Sequence, residues 1–230
     1  MDLFKDFYKG KTVLVTGDTG FKGSWLSIWL HELGAEVYGY ALAAKTQQDN
    51  FIKTNLAKVI RHYDGDVRDG DTLKKVFNEV KPELVFHLAA QALVLPSYTD
   101  PVETFHTNIL GTVNFFEAVR QTSSIKIALN ITSDKCYQNN EWVWGYREND
   151  PLGGNDPYSA SKGCSELITS SYMKSFFSTG DCLIASGRAG NVIVASSLTS
   201  RGYTLLRRAR SGRALRPPDP RSRARPRRGR

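Results

Sequence analysis

Three cysteines, two methionines and four histidines in 230 residues leave little for redox or metal chemistry. Cys136, Cys164 and Cys182 are odd in number and lack metal-ligand spacing. That argues against both a disulfide scaffold and a zinc site, and leaves reduced, partly buried thiols as the expectation. No apolar run approaches the ~18 residues that a membrane span needs, so no membrane partner is expected. The opening stretch Met1-Asp2-Leu3-Phe4-Lys5-Asp6 alternates in charge and has no apolar core of the secretory kind, which points to the cytoplasm. Acids are scarce in one region only: residues 194–230 hold Asp219 against twelve Arg and no Lys. Residues 1–193 carry fourteen Lys and five Arg against 22 acids, so the net charge of +8 belongs to the tail and the body is mildly acidic.

The tail also lacks apolar periodicity. From Arg213 to Arg230 it is Arg, Pro, Ala and Ser with almost nothing to bury, so it cannot offset its ordering entropy and disorder is expected. Composition and the kind of basic residue change together near residue 194, as at a frameshift or a chimeric join. Such a tail meets nucleic-acid phosphates through charge. It offers no interleaved aromatics for stacking, however, and a nucleic-acid partner is not expected.

The body alternates two periods. Thr12–Thr16 is a short β-branched run, and Glu36–Tyr40, Val59–Tyr63, Leu84–Leu88, Ile125–Ile131 and Cys182–Ser186 are further strand candidates. Between them lie helical patterns. Phe21–Leu33 has Phe21, Trp25, Ile28, Trp29 and Leu33 at three- and four-residue spacing. Asp71–Val80, Val102–Arg120 and Ser159–Phe177 follow, with Phe105, Ile109, Val113 and Phe116 as the apolar face of the second. Alternating units of this length predict an α/β domain over residues 1–193, a doubly wound parallel sheet of the Rossmann type. No internal repeat is present.

Three features carry chemistry. The first strand runs into Gly17-Asp18-Thr19-Gly20-Phe21-Lys22-Gly23, whose glycines allow a tight turn and close backbone approach to a pyrophosphate at a helix N-terminus. This spacing between strand and helix points to a bound dinucleotide. The second strand ends in Tyr40-Ala41-Leu42 without the acid that normally takes the ribose hydroxyls, so NAD and NADP both stay open on the residues alone. Asp66-Val67-Arg68 either places Asp66 near an adenine or forms an ordinary turn. Second, Tyr158-Ser159-Ala160-Ser161-Lys162 places a phenol and an amine one helical turn apart, where the ammonium would lower the phenol's pKa and make Tyr158 a base. Third, Thr132-Ser133-Asp134-Lys135 follows a strand, at the edge where open α/β sheets bind ligands.

These residues, with His87-Leu88-Ala89-Ala90-Gln91 and Asn108 in Thr107-Asn108-Ile109-Leu110-Gly111-Thr112, resemble the extended short-chain dehydrogenase/reductases acting on nucleotide sugars. Thr132-Ser133-Asp134-Lys135-Cys136-Tyr137, Glu141-Trp142-Val143-Trp144-Gly145-Tyr146-Arg147-Glu148 and Asp156-Pro157-Tyr158 resemble the CDP-glucose 4,6-dehydratases among them. The resemblance runs from residue 5 to 193 and implies a lyase that removes water from CDP-glucose, in supply of deoxysugars for lipopolysaccharide. It implies NAD held by Gly17, Gly20, Phe21, Gly23, Asp66, Val67, Leu88, Ala89, Ala90, Asn108, Tyr158 and Lys162. It further implies Ser133, Asp134, Lys135, Tyr158 and Lys162 in catalysis, Gln91 and Asn191 at the substrate, no metal, and a homodimer. Dehydratases of UDP-N-acetylhexosamines share the Asp134-Lys135 pair but not the Glu141-Trp142-x-Trp144 stretch. After Ile193 the resemblance stops, so a C-terminal substrate lobe is expected to be missing and a non-catalytic cofactor-binding remnant is the alternative.

Overall fold

The structure is a computed structural model and describes residues 3–191. The expectations for the Arg-rich tail, its disorder, the join and the 1–193 boundary, lie outside the described residues.

Six strands, β1 (Thr12–Thr16), β2 (Glu36–Ala41), β3 (Arg61–Asp64), β4 (Leu84–His87), β5 (Ile127–Ser133) and β6 (Leu183–Ala189), form one sheet in the order β3-β2-β1-β4-β5-β6. Every pairing is parallel. The chain therefore leaves β1 in one direction and returns to its other side at β4, and this reversal opens a crevice at the carboxyl ends of β1 and β4. The doubly wound sheet expected from the sequence is the fold observed. β3, β5 and β6 each begin one or two residues later than their apolar runs suggested, because the first residues of those runs lie in the preceding turns.

The helices are α1 (Phe21–Glu32), α2 (Asn50–Lys53), α3 (Gly70–Val80), α4 (Val94–Thr99), α5 (Pro101–Phe105), α6 (Gly111–Arg120) and α7 (Pro157–Phe176). Asp69, Asp100 and Asp156 cap α3, α5 and α7 by accepting from backbone N–H groups three residues on. Leu14, Tyr38, Tyr40, Val85 and Ala128 alternate along the strands to make one sheet face, on which Leu73, Phe77, Phe115, Phe116 and Val119 from α3 and α6 pack. Short α2 and α4 carry no regular apolar period and were not expected from the sequence.

Two helical faces differ from the pattern read in the sequence. α1 buries Gly23, Ser24, Ser27, Ile28 and Leu30, while Phe21 and Trp29 stand out in solvent. A small-residue face is required because α1 lies against the β1 turn: a Cβ on Gly23 would sit 2.0 Å from the Gly17 carbonyl oxygen. In the span 102–120, His106–Leu110 is a π-helical turn. Phe116 is buried as expected, but the extra residue rotates the rest of the face, so Phe105 and Leu110 are exposed and Asn108, Thr112 and Phe115 turn inward.

Candidate active site

Gly17 adopts φ +80°, a conformation that favours glycine, and its N–H donates to the Tyr40 carbonyl at 2.9 Å. A side chain there would also collide with the Ala89 backbone nitrogen at 2.7 Å, so the β1 turn and the end of β4 are in direct contact. Gly20 begins α1 with no side-chain cap, which leaves the first-turn N–H groups of the helix open at the crevice with the positive end of its dipole. These groups can take an anion. Beneath the turn, the fully buried Asp18 carboxylate meets His62 Nδ1 at 2.7 Å, while its Oδ1 has no described partner. Burial raises the Asp18 pKa against the pull of His62. Burial opposes the charged form of His62 as well, yet Asp18 and Asp64 prevail and raise its pKa. Neither residue was singled out in the sequence, since each lacks a spacing that links it to the other.

Asp66 stands in a turn that it holds itself. The Asp66 carboxylate accepts from the Arg68 backbone N–H at 2.9 Å and from its Nε at 2.8 Å. Burial works against ionisation of Asp66, but the Arg68 bonds outweigh it and hold its pKa below the ordinary carboxylate value. Val67 is a core residue whose carbonyl accepts from Asn114 Nδ2.

The β4 end is fixed from within. Asn108, nearly fully buried, donates to the Gln91 carbonyl and the Ser161 hydroxyl and accepts the Gln91 N–H at 2.8 Å. Gln91 spends its amide on Leu93 and Thr104. Both were expected at a ligand. Within the protein they clamp Leu88-Ala89-Ala90, whose Leu88 and Ala89 N–H groups also donate to Thr16. His87 is buried against Phe115, with its pKa lowered to about 3 by burial and by Lys162. It is therefore neutral and bonded to the Thr16 hydroxyl at 2.7 Å.

The catalytic candidates gather at the end of β5 and the start of α7. Ser133 donates to the Asp134 carboxylate at 3.1 Å, and Asp134 and Lys135 are exposed in a 3₁₀ turn. Pro157 and the Asp156 cap set the start of α7, and the Tyr158 N–H donates to the Ser97 hydroxyl at 3.2 Å. The expected lowering of the Tyr158 pKa is not found. Burial raises it, the Ser133 hydroxyl opposes that, and the charges of Asp134 and Asp156 add to the rise. The reason is visible at Lys162, which is buried and donates to the Ile131 carbonyl at 3.5 Å. Burial, with Lys22 nearby, lowers Lys162 to about 8. Asn191 is exposed at the end of the described residues.

A cleft of about 610 Å³ opens beside this turn, lined by Asp134, Tyr137, Tyr146, Glu148, Ser186 and Arg188. Tyr137 and Tyr146 stack at 5.0 Å, and the Arg188 guanidinium lies over Tyr137. Arg188 also reaches the buried Glu166 at 2.9 Å, which accepts from Ser186 and Thr132 as well. In the sequence, Tyr137, Tyr146 and Arg188 stood only inside stretches of family resemblance, because a cleft assembled from β6, α7 and a loop leaves no period. The three cysteines are unpaired, and among the described residues no cluster of His, Cys, Asp and Glu could hold a metal and no helix is long and apolar enough to cross a membrane.

A six-stranded parallel sheet with a glycine turn at its switch point and a Tyr-x-x-x-Lys helix beside it defines a Rossmann-type protein. The family model described as GDP-mannose 4,6 dehydratase matches residues 14–191, and the chain belongs to that family. It is 55% identical over 194 residues to the CDP-glucose 4,6-dehydratase of Salmonella typhimurium, covering 82% of this chain and 54% of that protein. It is 31% identical to a GDP-mannose 4,6-dehydratase of Vibrio cholerae, over 72% of this chain and 46% of that one. Among solved structures, the UDP-glucose 4-epimerase of Thermus thermophilus in complex with NAD superposes with a TM-score of 0.65 at 31% identity, over 76% of this chain and 54% of that chain. The chain thus spans about half the length of the curated relatives it matches.

Proposed function

We propose that the chain carries the cofactor and acid–base half of an NAD-dependent nucleotide-sugar 4,6-dehydratase acting on CDP-glucose. The observation that supports this most is the meeting of the Ser133-Asp134-Lys135 turn with Tyr158 at the carboxyl edge of the sheet, beside the glycine turn. The 55% identity to a CDP-glucose 4,6-dehydratase directs the substrate choice. The residues present fit a dinucleotide: bare first-turn N–H groups on α1 face the crevice, and Gly17 and Gly23 admit the turn only because they have no Cβ.

When bound, NAD⁺ supplies a temporary store for the hydride that leaves sugar C4 and returns at C6. Tyr158 takes the proton of the 4-hydroxyl, which Ser133 orients by a hydrogen bond. Lys162 turns from the Ile131 carbonyl toward the phenol, so that its ammonium favours the phenolate. The 4-ketone then acidifies the C5 hydrogen. Lys135 takes that proton and Asp134 gives one to the 6-hydroxyl as it departs as water. The buried Glu166–Arg188 pair and the Tyr137–Tyr146 stack hold the cleft wall into which a sugar or its base fits. Asn191 and the backbone of Leu88-Ala89-Ala90 are read as further contacts for substrate and cofactor. The reading brings a cytoplasmic site of action, where NAD and nucleotide sugars are supplied. It also brings a dimer through the α5–α6 and α7 surfaces, whose Val102, Leu110 and Leu167 are exposed.

Incubation of the full chain with NAD⁺ and CDP-glucose tests the reading. The expected result is a product lighter by one water in mass spectrometry, absent with Tyr158→Phe. Saturation with cofactor and substrate and no such product overturns it.

A further inference from the structure

From Ala92 to Asp100 the chain is exposed at every residue but one. Leu93, Leu95 and Tyr98 each stand more than half in solvent, while Ser97 is fully buried. α4 is thus inside out: its apolar side chains face away from the protein and its hydroxyl faces in. A buried polar group calls for partners that explain it. Ser97 has two. Its hydroxyl donates to the Val94 carbonyl at 2.7 Å, one turn back in α4. It also accepts the Tyr158 N–H at 3.2 Å, from a residue 61 positions further along the chain.

The second bond completes the first turn of α7. The first N–H groups of a helix have no partner inside it. In α7, Pro157 has no N–H to satisfy, and the Asp156 carboxylate takes that of Ser159 at 2.9 Å. The ordinary bonding of the helix begins with Ala160, which donates to the Asp156 carbonyl at 2.9 Å. Tyr158 is the one left over, and the group that serves it comes from another helix. The Tyr158 carbonyl is tied as well. It accepts from the Ser161 hydroxyl at 2.7 Å, which itself accepts from the buried Asn108. The backbone of Tyr158 is therefore held on both sides, by α4 and by the π-helical turn before α6.

We infer that Ser97 is a positioning residue for the acid–base step, holding Tyr158 by its backbone N–H so that the phenol stands at the reacting hydroxyl. This inference rests on the reading of Tyr158 as the base. A phenol oxygen sits at the far end of a rigid side chain, so a small turn of the helix start displaces it more than the backbone. A misplacement of ~1 Å at a reacting group costs about a hundredfold in rate. Being fully buried, Ser97 acts through Tyr158 and not on substrate.

The test compares Ser97→Thr with Ser97→Val, side chains of one shape of which only threonine keeps the acceptor. Ser97→Ala against the unaltered chain decides the matter where the added methyl is not tolerated. Each full chain, carrying ¹³C-labelled tyrosine rings, is titrated by NMR, and the Tyr158 signal is identified by its loss in Tyr158→Phe. Turnover of CDP-glucose with NAD⁺ is followed across pH in the same proteins. Burial raises the Tyr158 pKa, so a loosened phenol titrates lower, toward the ordinary tyrosine value. That fall is expected in Ser97→Val and Ser97→Ala, with kcat down about tenfold, its pH profile moved and KM held. Ser97→Thr is expected to keep both the titration and the turnover of the unaltered chain. Loss of folded protein alone would lower turnover and move neither the titration nor the pH profile. An unmoved titration in Ser97→Val and Ser97→Ala would overturn the inference. A titration that moves as expected in a chain without turnover would uphold Ser97 and overturn the dehydratase reading instead.

Discussion

The two sides of the crevice are built on different principles. The phosphate side, from the β1 turn through α1 to β3, is made of backbone: glycines at contact distance, first-turn N–H groups and one buried Asp18–His62 pair beneath them. The acid–base side, from β5 through α7 to β6, is made of side chains. Its buried groups include Lys162, whose pKa falls to about 8, and Glu166 satisfied by Arg188, Ser186 and Thr132. The first side is held by close backbone contacts, with the burial of Asp18 offset by His62. The second stores unfavourable burial, as acid–base sites commonly do.

The difference is broken most severely at Gly23. Gly23→Ala puts a methyl 2.0 Å from the Gly17 carbonyl oxygen, backbone that cannot move without α1. A loss of ~3 kcal/mol or more in urea unfolding is expected, with cofactor binding lost as well. His62→Ala comes next, because it leaves Asp18 buried without its cation. A cost of roughly 3 kcal/mol is expected at pH 6. The native His62 pKa is raised, so its contribution is complete below its ordinary value and fades as pH rises through the native one. The gap between the two proteins should accordingly narrow from pH 6 to pH 8, as thermal melts at both values would reveal.

On the acid–base side the sign reverses. Lys162 is lowered, so the native state resists its proton and the unfolded chain binds more protons between pH 8 and its ordinary titration. Lys162→Met should therefore stabilise the protein by about 2 kcal/mol at pH 7 while weakening activity, and this advantage should shrink as pH rises above 8. A destabilised Lys162→Met at pH 7 would show that this side stores nothing. Least affected is Trp144→Ala. Trp144 is 72% exposed, and its removal should change unfolding free energy by less than ~0.5 kcal/mol.

The same contrast explains what could be read from residue order. The alternation of strands and helices, the glycine turn and the body of α7 were legible because each rests on local spacing: β-branched runs, Gly-x-x-Gly-x-x-Gly, and a helical period over Ser159–Phe177, although α7 itself starts two residues earlier at Pro157. The protein partners of Gln91, Asn108 and Asp66 were not, because a polar side chain shows its type in the sequence but not its partner. Gln91 and Asn108 turn out to hold each other, and Asp66 holds Arg68. The apolar face of residues 102–120 was read rightly at Phe116 but not as a whole, for a related reason. One added residue in the π turn at His106–Leu110 shifts every later position, and nothing in composition marks it. The raised Tyr158 pKa follows from where the Lys162 amine rests, a rotamer that the i, i+4 spacing leaves open.

The central proposal is that one hydride leaves C4 of a nucleotide sugar at this crevice and returns to C6 of the same molecule. It is tested most directly with CDP-glucose deuterated at C4, given to the full chain with NAD⁺, and the product read by NMR and mass spectrometry. The account expects the label at C6 of a 4-keto-6-deoxy product. Label lost to solvent, or label still at C4 with cofactor bound, would contradict it.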